Sequence, residues 1–182
     1  MMSKGIFAML SAGLLAVGTA ASAADPDWSY PTIQGFGKIS AAPEAGMQPS
    51  KDIDYKVVFN MTLGGDADKV NPSLDRVARA VNLFTSAGVP LSRLHFVVVV
   101  HGPSTSSVLD QAHYNQKFNV DNPNAKLISE LDKVGVKVVV CAQALAANNF
   151  QRAWVNPQVE VTLSAITDVI MLEQQGYVFF PL

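Results

Sequence analysis

A single cysteine, Cys141, follows a short run of valines and precedes Ala142-Gln143-Ala144-Leu145, so a thiol stands where an apolar strand gives way to a short helix. In that position the backbone N–H groups and the positive end of the helix dipole favour the thiolate, the nucleophilic form of sulfur. A cysteine ending a core strand also serves as a small buried hydrophobe, and the sequence leaves both readings open. His101 closes a second apolar run, Leu94 to Val100, and Gly102-Pro103 turns the chain after it. An imidazole there can take a proton, donate a hydrogen bond or hold an anion; its other reading is a structural histidine bonded to a loop carbonyl. Cys141 is therefore the candidate catalytic residue, and His101, Gly102 and Gln143 are the candidate substrate-binding residues.

Other reactive arrangements find little support. His95, His101, His113 and Cys141 lack the short paired spacing of a zinc motif, so no metal is expected. Ser104, Ser106 and Ser107 read as helix-start residues, because no nucleophile-elbow sequence surrounds them. The chain carries neither GxGxxG nor a Walker loop, and no cofactor is expected. Asp66 and Asp68 read as solvated loop carboxylates, and His113 falls in a polar loop. Tyr114, Phe118 and Trp154 either cover a pocket, pack between subunits, or serve as ordinary core or loop anchors.

These residues need a scaffold that brings strand ends together, and the hydrophobic pattern supplies one. Tyr55 to Met61 (YKVVFNM) reads as a buried strand. Asn71-Pro72 is a cap followed by proline at the first helical position, and Leu74, Val77, Ala78, Val81 and Phe84 recur at helical spacing until Gly88. Leu94 to Val100 (LHFVVVV) is the near-continuous apolar run of a strand covered on both faces. Asn122-Pro123 repeats the helix-start signal, Leu127, Ile128, Leu131 and Val134 form the stripe, and residues 136–140 make the next strand. A short helical stretch over 143–154, a strand over 159–163, a helix from Ser164 and a last strand over 177–180 complete the pattern. Strands alternating with helices imply a mainly parallel five-stranded sheet between helices, a three-layer α/β/α fold. In such a sheet, ligands collect outside the carboxyl ends of the strands, where Cys141 and His101 both fall.

The first residues carry an address. Lys4, an apolar run over 6–17 and Ala21-Ser22-Ala23 have the order of a secretory signal peptide cleaved after Ala23. Residues 1–23 are thus expected to be removed, with the mature protein periplasmic and without a membrane segment. Residues 24–50 hold Pro26, Pro31, Pro43 and Pro49 with three glycines, an extended arm made adhesive by Trp28, Tyr30 and Phe36. Residues 51–182 form the α/β domain. The whole chain has a formal charge of −2, and loss of Lys4 takes it to −3. That balance argues against nucleic acid, which calls for a basic surface. A lone cysteine cannot form an internal disulfide.

Three segments carry a family resemblance: VNLFTSAGVPLSRLHFVVVVHGPST (81–105), VDNPNAKLISELDKVGVKVVVCAQAL (120–145) and VEVTLSAITDVIMLEQQGYVFF (159–180). Together they resemble the DsrE/DsrF-like proteins over about residues 54–182. The resemblance implies the three-layer fold, assembly into homotrimers or hexamers, and kinship with sulfur-relay proteins in which a cysteine carries persulfide sulfur. Only Cys141 matches that cysteine position, and His101-Gly102 matches a recurrent family motif. The implied partners are a sulfur donor or acceptor protein, or a small anionic ligand. The alternative is a non-catalytic homo-oligomeric binding or accessory protein of the same fold.

Overall fold

The computed structural model describes residues 26–182; the proposed signal peptide and its cleavage point lie outside them. Five parallel strands form the central sheet: β3 (Tyr55–Met61), β4 (Leu94–Val100), β5 (Lys137–Cys141), β6 (Glu160–Thr162) and β7 (Val178–Pro181), in the order β6-β5-β4-β3-β7. A two-residue ladder, β1 (Trp28–Ser29) with β2 (Ile39–Ser40), lies outside it. The helices are α1 (Pro72–Ser86), α2 (Gln111–Phe118), α3 (Ala125–Lys133), α4 (Ala142–Ala147) and α5 (Ala165–Gln174).

The strand order explains how the layers divide. From β3 the chain steps through β4 and β5 to β6 in one direction, then crosses the whole sheet to add β7 beside β3. Right-handed crossovers place connections running in opposite directions on opposite faces. Accordingly α1 and α3 share one face, where Leu74, Val77, Val81, Leu127, Ile128 and Leu131 are fully buried. They pack on Phe59, Phe96, Val98, Val138 and Val140 of the sheet. The other face presents Val58, Val97, Val99, Val139 and Cys141, and α5 covers it with Ala165, Val169 and Leu172.

Residues 26–50 pack on their own domain. Asn82, fully buried in α1, accepts from the backbone N–H groups of Thr32 and Ile33 through its Oδ1, and its Nδ2 donates to the carbonyls of Phe36 and Gly37. Gly37 (φ +61°) lies so close to α1 that a Cβ there would stand 2.1 Å from the backbone nitrogen of Arg79. Only glycine lets the arm approach this far.

Caps decide several helix starts. The Asn71 side chain accepts from Ser73 N–H ahead of α1, as expected. Asn122 accepts from Asn124 N–H instead, so α3 begins two residues later than the Asn-Pro signal implied, with Asn124 as its cap. His113 lies within α2 rather than in a loop. Asp110 caps that helix by accepting from His113 N–H, and with little apolar periodicity the helix was hard to read from the sequence. The stretch after Cys141 is broken: α4 ends at Ala147, Asn149 turns left-handed (φ 57°), and a 3-10 turn follows at Arg152–Trp154. Among the described residues, no helix is long and apolar enough to cross a membrane.

Candidate active site

Cys141 and His101 emerge at the carboxyl edge of adjacent strands. The β4–β5 register pairs Val100 with Val140, so each stands one step beyond the last paired residue. Side chains at matching register positions share a face, and both belong to the face that α5 covers. Strand spacing places their backbones roughly 5 Å apart. β3 contributes a third group, Asn60, because Met61 pairs with Val100 and the residue before it points to the same face as His101.

The Asn60 amide oxygen lies 2.8 Å from His101 Nε2. A carbonyl oxygen only accepts, so Nε2 carries the imidazole proton and Nδ1 is left as the basic nitrogen. Burial pushes the His101 pKa below its ordinary value, which keeps the ring neutral at neutral pH. Gly102 adopts φ +61°, a left-handed conformation that favours glycine, and starts the 3-10 turn Gly102–Val108. Ser104, fully buried, ties that turn down: its hydroxyl lies 2.8 Å from the carbonyls of both Met61 and His101. Ser104 therefore holds the loop from within the turn, and Ser104, Ser106 and Ser107 do not start a helix as expected: His101 precedes the turn and Asp110 caps α2.

Cys141 is 5% exposed, and its Sγ accepts from the Ala144 backbone N–H at 3.4 Å as the cap of α4. It lies in the wall of an open cleft of about 600 Å³ between the strand ends, α4 and α5. All four residues singled out from the sequence, Cys141, His101, Gly102 and Gln143, line this cleft. Gln143 reaches across it and donates through Nε2 to the Leu163 carbonyl at 3.2 Å, closing the rim between α4 and the loop before α5.

Sequence reasoning missed the partners from elsewhere in the chain. Asn60 was visible only as a polar residue inside an otherwise apolar strand. Ile166, Val169 and Ile170 of α5 and Phe179 of β7 form the apolar side of the cleft. The sequence placed them on a helix and a strand without showing that they face a cleft, and Ile166 is 73% exposed. The remaining candidates lie elsewhere. Tyr114 donates to the Ala67 carbonyl, Trp154 stacks on His113, and His113 Nδ1 meets Asp110. His95 stands near Asp54 at the opposite end of the sheet. Asp66 pairs with Lys69 on the surface, and that hydrogen bond lowers its pKa. Among the described residues, no group of three or more His, Cys, Asp or Glu side chains is arranged to hold a metal ion.

The model of the DsrE/DsrF-like family matches residues 55–181, which takes in every strand and helix around the cleft. The chain belongs to the DsrE/DsrF-like family. Among solved structures, it is similar to MTH1491 of Methanobacterium thermoautotrophicum, described as a protein of unknown function, with a TM-score of 0.55 and 19% identity. That alignment covers 71% of this chain and 100% of the other. At that identity the likeness establishes the fold alone. No curated protein matches the chain.

Proposed function

We propose that this DsrE/DsrF-like protein is exported to the periplasm and handles sulfur through Cys141, carrying it as a persulfide or mixed disulfide. The observation that carries the reading is the placement of the only thiol: in the wall of the cleft, at a strand end, with the Ala144 N–H on its sulfur and His101 on the neighbouring strand. The Cys141 thiolate attacks the outer sulfur of a donor persulfide, an Sγ–S bond forms, the donor S–S bond breaks, and the donor thiolate leaves with the electron pair. Neutral His101 receives the proton that Cys141 gives up and returns it to the leaving thiolate. No external oxidant is required, because the sulfane sulfur passes between thiols at constant total oxidation level.

Mass spectrometry of protein purified from periplasm tests this. Extra sulfur on Cys141, removed by a reducing agent, is the expected result; a Cys141 that stays unmodified and resists alkylation until the protein unfolds would leave it a packing residue.

Assembly with further copies belongs to the same proposal. Leu163, Ile166, Ile170 and Met171 around α5, and Val178 and Phe180 along the β7 edge, are apolar and all at least half exposed, surface that further copies would cover. Light scattering should give a mass that is a multiple of the chain, and a monomer at micromolar concentration would refute it.

A further inference from the structure

The cleft is notable for what its walls are made of. None of its lining residues is Asp, Glu, Lys or Arg, and its two ionisable side chains are Cys141 and His101. Its polar side chains are tied in part to the protein itself: His101 Nε2 to Asn60 Oδ1, Gln143 Nε2 to the Leu163 carbonyl, and Asn148 Nδ2 to the Ala144 carbonyl. The Ser164 hydroxyl oxygen accepts from Ile166 N–H. A small anion entering here would lose its hydration and meet no cation, which is costly. The rest of the wall is Ala144, Ala147, Ile166, Val169, Ile170 and Phe179, and of these Ile166, Ile170 and Phe179 are 73%, 50% and 39% exposed to water. An uncharged apolar molecule placed against them would bury surface that is now wet, and that is favourable. The volume of about 600 Å³ falls within the roughly 300–1,000 Å³ of small-molecule sites.

We infer that this cleft takes an uncharged sulfur compound with an apolar body, a dialkyl disulfide or polysulfide, in preference to thiosulfate or another small anion. The identity of the reacting atom rests on the sulfur-handling reading of Cys141; the ligand class rests on the walls. In the reaction, the Cys141 thiolate attacks one sulfur of the ligand's S–S bond. An Sγ–S bond forms, the S–S bond breaks, and its electron pair leaves on the other sulfur as a thiolate or persulfide anion, which takes up the proton lost by Cys141.

The wall is tested without the thiol in full-length mature Cys141→Ser, titrated with the neutral fluorophore N-phenyl-1-naphthylamine. Saturable binding should be displaced by dimethyl trisulfide and unaffected by thiosulfate, and a charge placed in the wall by Ile170→Lys should weaken it about tenfold or more. Displacement by thiosulfate, indifference to Ile170→Lys, or no binding because a second copy fills the cleft would each overturn the inference. In the wild type, neutral methyl methanethiosulfonate should outpace its anionic sulfonatoethyl analogue at Cys141 by a ratio about tenfold larger than in the urea-unfolded chain; equal ratios would overturn it. If neither reagent modifies folded Cys141 while the fluorophore still binds as expected, the ligand class stands and the sulfur-handling reading falls.

Discussion

The two faces of the sheet are built from the same kinds of residue but finished differently. On one, α1 and α3 lie side by side, and the arm is fastened over α1 by Asn82 and Gly37. The apolar side chains between these helices and β3, β4 and β5 are sealed, and Val178 and Phe180 at the β7 edge stay exposed. On the other, α5 must serve as the crossover from β6 at one edge to β7 at the opposite edge, and it leaves a cleft at the carboxyl ends of the strands. Cys141, His101 and Asn60 all point to this second face. The comparison teaches that the site lies where the sheet is covered least, and that its chemistry follows from topology as much as from residue type.

The sealed face should be the more sensitive to substitution. Leu131→Ala, at a fully buried position, should cost about 2–5 kcal/mol in urea unfolding, because it removes packing and leaves a cavity. A loss comparable to that of a surface change would break the distinction between the faces. Asn82→Ala should follow at about 2–3 kcal/mol, since the arm's backbone groups at Thr32, Ile33, Phe36 and Gly37 lose their partner. Limited proteolysis should then cut within residues 26–50 while the rest of the domain survives.

The open face should respond to pH and much less to truncation. His101 is held below its ordinary pKa by burial, so the unfolded chain takes up the proton first as pH falls below about 6.5. Its contribution is intact above that value and is lost as pH drops through the lower folded pKa. Urea titrations at several pH values should show stability declining over this window, with a shallower decline in His101→Gln; identical slopes would count against a desolvated imidazole. The smallest effect is expected at Ile166→Ser, within about 0.5 kcal/mol, because that side chain is 73% exposed. A loss of several kcal/mol measured on the monomer would show that the face is covered more tightly than described, whereas a change in oligomer mass would support assembly through it.

Much of this arrangement was legible in the residues. The valine runs ending at Val100 and Val140 marked buried strands, and their ends marked where a ligand would lie, because apolar continuity and strand polarity are local properties. Asn71-Pro72 and Ser164 marked helix starts for the same reason. Asn60 was not legible as a partner of His101, since that bond joins residues 41 positions apart and depends on the β3–β4 register. Nor was α2, whose start rests on a capping aspartate rather than on an apolar stripe.

By itself, then, the sequence determined the elements, their alternation, the edge where Cys141 and His101 emerge, and the family resemblance. Hydrophobic periodicity and capping act over a few residues and leave their mark in them. Only the tertiary structure decided that β7 crosses to the far side of β3, that α5 therefore spans its face, and that Ile166, Ile170 and Phe179 become cleft wall rather than core. Those outcomes depend on which strands become neighbours, and an apolar side chain has the same chemistry whether another element covers it or water does.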